Sequence, residues 1–189
     1  IEMYRALGQT LQWQGYAGMY HGYLPWPLAE REYQILRELA FPEVQARRDK
    51  RYVLQPREGE PDGQTTTPER LLPTVLEEGK TAAIDIWVAD DVDNARQDGE
   101  MRRPVLTIRF SFFCIEDEIE IRFNGRTLAR EEAEISDERA LTMQVALAGG
   151  MQIQAPLGMS THWFRYGLEI GDLKQGNNRL EVVVEKLDP

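Results

Sequence analysis

The first thirteen residues, IEMYRALGQTLQW, place Ile1, Tyr4, Leu7 (or Gly8) and Leu11 at helical spacing and predict an amphipathic helix that stops near Gly15. YAGMYHGYL follows, aromatic and small by turns, and predicts a short buried strand that PWP then breaks. Pro27 suits the first turn of a second helix, LAEREYQILRELA, with Leu28, Tyr33, Ile35 (or Leu36) and Leu39 on its buried side. Helix, strand, loop, helix is the rhythm of an α/β unit.

From Lys50 the pattern changes. KRYVLQ predicts a short strand, and REGEPDGQTTTPER, polar and without period, a surface loop. In TAAIDIWVADD, Ala83, Asp85, Trp87 and Ala89 face one way and Ile84, Ile86 and Val88 the other, which marks a half-buried strand. NARQDGEMR predicts a second polar loop. PVLTIRFSFF and DEIEIRFNG alternate again, with Ile119, Ile121 and Phe123 on one side of the latter. Asn124 and Gly125 between EIRF and RTL give a hairpin signal, because both tolerate the positive φ of a type I′ turn. LTMQVALAGGMQIQAP predicts two short strands around Gly149 and Gly150, and THWFRYGLEI, the turn GDLKQGNN and RLEVVVEKL complete the series. Many short strands separated by turn signals predict a mostly-β fold, an antiparallel β-sandwich behind a short helix-strand-helix segment. The expected organisation is an α/β segment over 1–45, a linker with the first strands over 46–80, and the sandwich over 81–189.

DEIEIRFNGRTL, followed some forty residues later by HWFRYGLEIGDLKQGNNRLEVVVEK, resembles the galactose-binding-like jelly-roll sandwiches appended to glycoside hydrolases. The turn has a physical logic: Leu173 plugs the end of the sandwich, Gly176 allows the reversal, and Asn177 or Asn178 hydrogen-bonds the loop backbone. The resemblance covers roughly residues 80–189. Residues 1–45 look like the last strand and flanking helices of a (β/α)8 barrel, so that GMYHGYLPW resembles the final barrel strand and the loop at its C-terminal end, where barrel active sites lie. It implies an accessory sandwich, structural and carbohydrate-binding, belonging to a glycoside-hydrolase-like parent polypeptide. Domains of this class often hold a structural calcium.

Composition narrows the partners. The chain has 189 residues, 42% of them hydrophobic, enough to bury a sizeable core. With 32 acidic against 22 basic residues and a formal charge of −10, its average field repels phosphate backbones and anionic lipid, so nucleic acid and membrane partners are not expected. The single cysteine, Cys114, lies in the apolar run VLTIRFSFFCI and reads as a small core hydrophobe. Export and a cytoplasmic location are both compatible with one cysteine. The pattern opens in mid-helix at Ile1 without an initiator methionine, and reads as a piece of a longer chain.

Three constellations bear on chemistry. Tyr20, His21, Tyr23 and Trp26 suit a buried strand between two helices better than a sugar-stacking wall, Trp26 on its Pro-bounded loop being the best ligand candidate of the group. In THWFRYGLE, Trp163 and Arg165 share one strand face and His162, Phe164 and Tyr166 the other. One of these faces is core, and the other offers stacking plus a guanidinium to a glycan. Asp90, Asp91, Asp93, Asn94 and Asp98 supply oxygens for a calcium ion, but without EF-hand spacing, and suit a solvated loop as well. No nucleophile elbow, Gly-rich phosphate loop or Cys/His cluster is present in the sequence. The expected function is a non-catalytic accessory sandwich. A fragment of a glycoside hydrolase that lends His21, Tyr23 or Trp26 to a barrel active site, and a protein-interaction module, are the alternatives.

Overall fold

The computed structural model describes residues 1–17, 27–39, 41–54, 72–114, 116–139, 144–146, 152–154 and 160–188. Helix α1 spans Glu2–Trp13. It ends as its sequence predicts: Gly15 takes φ +86°, its N–H reaches the Gln12 carbonyl at 2.9 Å, and the Tyr16 N–H reaches that of Leu11 at 3.0 Å. These two bonds are the Schellman closure, which needs the left-handed residue that glycine supplies without strain. The buried face matches the expected one only at Gly8. Arg5, Ala6 and Gly8 are buried, while Tyr4 and Leu7 are exposed.

Helix α2, Glu30–Leu39, begins three residues after Pro27 rather than at it. The Glu32 carboxylate reaches back to the Ala29 N–H at 3.0 Å, half of a capping box that fixes the start. Ile35 is buried as expected, but its companion is Glu38, and Tyr33 and Leu36 are exposed. A third short helix, α3 (Pro42–Ala46), opens on a proline in its first turn, a start signal carried by FPEVQ. The three helices pack on one another, and the reason for the shifted faces lies at their contacts. The Arg5 guanidinium donates to both carboxylate oxygens of Glu38, one at 3.0 Å, and to the Asp49 carbonyl at 3.1 Å. A Cβ on Gly8 would stand 2.7 Å from both the Gln45 carboxamide and Leu39. Charge pairing and close approach thus set this face, not apolar spacing alone.

Residues 50–54 form no strand, contrary to the reading of KRYVLQ. The Lys50 ammonium turns instead to the Asp90 carboxylate at 2.7 Å and to the carbonyls of Arg48 and Ala46 at 3.3 and 3.4 Å. Strand β1, Thr81–Val88, alternates as predicted, with Ala83, Asp85 and Trp87 outward and Val88 buried, but Ala89, expected on the outward side, lies past the strand's end and is buried. The stretch read as a polar loop contains helix α4, Val92–Gln97. Asp91 caps it by accepting from the Asn94 N–H at 3.1 Å, and Gly99, at φ +69°, closes it with a second Schellman pair to Arg96 and Ala95.

The remaining strands are β2 (Val105–Ser111), β3 (Glu118–Phe123), β4 (Arg126–Leu128), β5 (Glu134–Arg139), β6 (Gln144–Ala146), β7 (Gln152–Gln154), β8 (Ser160–Gly167) and β9 (Gly176–Lys186). Strands β3 and β4 are the predicted hairpin, with Asn124 at φ +51°, Gly125 at +84° and Phe123 opposite Arg126. Two antiparallel sheets carry the fold, one of four strands in the order β1-β9-β3-β4 and one of three in the order β2-β8-β5; β6 and β7 pair separately.

By their internal contacts the residues fall into two units. One comprises Ile1–Val75, Ala83–Arg102 and Ile170–Leu180; the other comprises Leu76–Ala82, Arg103–Glu169 and Glu181–Pro189. The first buries Ala6, Ile35, Val88, Ala89, Val92 and Leu180. The second buries alternate residues of its strands, among them Leu106, Phe110, Ile121, Phe123, Phe164, Tyr166, Val182 and Val184.

Candidate functional site

In the first unit the outward face of β1 carries Asp85 and Trp87 two residues apart, as its alternation requires. Trp13, at the last turn of α1, stacks against Trp87 with ring centroids 4.5 Å apart and planes at 58°. The rings meet as two walls rather than one flat shelf. Both stay open to solvent, Trp13 by 50% and Trp87 by 38%. Gly176 lies against the Trp87 ring, where a Cβ would make only ordinary contact at 3.7 Å; its φ of +90° is what calls for glycine. On β9, Asn177 and Arg179 are both exposed, and the Arg179 guanidinium lies 3.5 Å from the Asp85 carboxylate with both side chains about half open. The face therefore combines a large apolar surface with an exposed acceptor and an exposed donor beside it.

The turn that begins β9 is built as the sequence predicts, by Asn178 rather than Asn177. Asn178 is fully buried; its Oδ1 accepts from the Lys174 N–H at 3.1 Å and its Nδ2 donates to the carbonyls of Lys174 and Gly176 at 2.8 and 3.1 Å. Leu173, expected as the plug, is half-buried.

The second predicted face, on β8, has the expected sides. Phe164 and Tyr166 are buried, and His162 meets the Phe113 ring edge-on at 5.4 Å, so this side is core. Trp163, half-buried, and Arg165, exposed, lie on the other side, and the Arg109 guanidinium lies over one face of the Trp163 ring, 5.5 Å from the centroid. Arg165 faces Glu134 at 3.8 Å across an exposed pair.

No protein-family model matches the chain, and no curated protein matches it in sequence. Its chemistry is read from its own residues.

Three of the four aspartates suggested for calcium have partners of their own. Asp90 pairs with Lys50, whose side chain is only 2% exposed; burial, and after it the Asp90 charge, push the Tyr52 hydroxyl well above the ordinary phenol range. Asp91 caps α4, Asp93 pairs with Arg96 at 3.3 Å, and Asp98 is the C-cap residue of the same helix. Among the described residues these four carboxylates do not gather into a group close enough to hold one ion. Cys114, expected as a strand hydrophobe, lies beyond the end of β2 and is half-buried. Its thiol donates to Glu116 at 2.7 Å, and Asp188 stands 3.8 Å away. The hydrogen bond to the Glu116 carboxylate raises the thiol above its ordinary value, with burial a smaller cause, which suppresses the thiolate. His21, Tyr23 and Trp26 lie outside the described residues. Trp13 was not found from the sequence because no local signal joins a helical tryptophan to a distant strand.

Proposed function

We propose that this chain is a non-catalytic accessory module that holds a neutral carbohydrate on the Trp13 and Trp87 pair, with Asp85, Arg179 and Asn177 meeting the ligand's hydroxyls. The observation that carries the reading is the pairing of two half-exposed indoles beside an exposed carboxylate and guanidinium. Apolar C–H faces of a pyranose stack on indole, while its hydroxyls need both acceptors and donors at the rim. The strongly acidic composition favours a neutral ligand over a polyanionic one.

The jelly-roll, galactose-binding-like architecture and the glycoside-hydrolase-like parent belong to the same proposal. The Asn-Gly hairpin, the Asn178 turn and the two antiparallel sheets support it. A panel of neutral glycans screened by calorimetry against the intact chain tests the reading. At least one glycan is expected to bind, and Trp87→Ala is expected to weaken it by about ten- to hundredfold, the cost of losing one stacked aromatic surface. Silence across the panel, or an unchanged affinity in a folded Trp87→Ala variant, overturns it.

A further inference from the structure

Strand β2 forms one edge of the three-stranded sheet. It pairs with β8 along its whole length, from Val105 opposite Gly167 to Ser111 opposite Thr161, and among the described residues no strand pairs with its other side. Exposed edges invite pairing with a further strand, and proteins usually blunt them with charge, proline or shortness. The opposite edge follows that rule, since β5 reads EISDER, with four of six residues charged. Strand β2 does not. It reads VLTIRFS, with no proline or glycine, and its one charge, Arg109, is folded over Trp163.

Immediately past this strand, Phe112 is 69% exposed and takes φ +60°. A bulky side chain rarely adopts that backbone, and an apolar ring held there in water calls for a reason.

We propose that β2 pairs antiparallel with β2 of a second copy of this chain, about a two-fold axis at Ile108, joining the two three-stranded sheets edge to edge. The strand is self-complementary about that residue in length, facing and charge. All of Val105–Ser111 is then paired: Val105 opposite Ser111, Leu106 opposite Phe110, Thr107 opposite Arg109, and Ile108 opposite its twin. The buried residues Leu106 and Phe110 stay on the core side in both copies, so the sheet continues without a flip of its faces. No like charges meet. An axis at Arg109 would set two guanidinium groups against each other, and an axis at Thr107 would leave residues at the strand end unpaired. The same register brings Phe112 alongside Pro104 of the second copy and gives the exposed ring a partner. Such an interface is isologous and closes at two copies.

Sedimentation equilibrium of the intact chain, from micromolar to millimolar concentration, tests this with three variants. The wild type is expected to dimerise reversibly, more tightly as salt screens the net charge of −10 on each copy. Thr107 is exposed, so its replacement leaves the core intact. Thr107→Glu places a carboxylate opposite Arg109 at two symmetric points and should tighten the dimer by about fivefold, while Thr107→Lys should weaken it by about as much. Phe112→Gly should raise the monomer's melting temperature by relieving the left-handed backbone and at the same time weaken the dimer. Backbone strain without an interface would change the first of these and not the second. A monomer at every concentration, or a dimer whose constant ignores the charge at 107, overturns the proposal.

Discussion

A single carboxamide holds the turn that leads into β9. Asn178 satisfies one N–H and two carbonyls that a tight loop would otherwise leave buried without partners. Replacing it with alanine leaves those groups unpaired and opens a small void, so Asn178→Ala should cost about 3 kcal/mol. A fall in the urea midpoint with unchanged slope is the expected result, and an unchanged midpoint would show that the loop finds its hydrogen bonds elsewhere. The same substitution at the adjacent Asn177, whose side chain is exposed, should leave stability within about 0.5 kcal/mol. The sequence pointed to this pair of asparagines and left the choice open. Choosing between them requires knowing which side of the strand faces the loop, and strand alternation supplies that only once the register is known.

At the level of elements, the tie between α1 and α2 is ionic. The side chains of Arg5 and Glu38 are both nearly buried, and the hydrogen bonds from Arg5, opposed in part by burial, hold the Glu38 carboxyl below its usual range. A carboxyl depressed in the folded state stabilises the fold above its ordinary value near 4.5, and that contribution is lost as pH falls through the lower, folded value. Stability should therefore fall on acidification below about pH 4.5, and Glu38→Gln should remove this part of the acid dependence. At neutral pH the same variant strands a buried guanidinium and should cost about 2 kcal/mol or more, whereas the double variant Arg5→Met with Glu38→Leu should recover most of that loss. Thermal melts across the acid range check both. A parallel pH profile in wild type and Glu38→Gln would refute the assignment.

The same contact explains what the pattern of apolar residues did and did not reveal. The bounds of α1, the alternation of β1 and the Asn-Gly hairpin were legible, because each depends on neighbours in sequence. The buried face of α1 was legible only at Gly8, because the rest of it is held by a cation whose carboxylate partner lies on α2. Helix α4 was masked by its polarity, although Asp91 and Gly99 mark its two ends. In the candidate site, Asp85 and Trp87 followed from alternation, while Trp13 and Arg179 come from elements far apart in the chain.

At the scale of the molecule, the two units are not consecutive in sequence. The first takes its last segment, Ile170–Leu180, from near the C-terminus, and β1 and β9 each contribute residues to both units. That late segment closes the first unit through several contacts. Gln175 donates to the Ala89 carbonyl at 3.0 Å, the Arg96 guanidinium donates to the Ile170 carbonyl at 3.0 Å, and Leu180 is buried. A chain cut to residues 1–102 would keep all four described helices and β1 yet lose these contacts, together with Asn177 and Arg179 of the candidate site. It should therefore show no cooperative thermal transition and no glycan binding, even though Trp13 and Trp87 are both retained. Calorimetry of the cut chain beside the intact one reads the two properties together. A cooperative transition in the piece would mean that the helices and β1 suffice for the first unit. Binding retained with it would place recognition on the indoles and Asp85, without the donors and acceptors that β9 supplies.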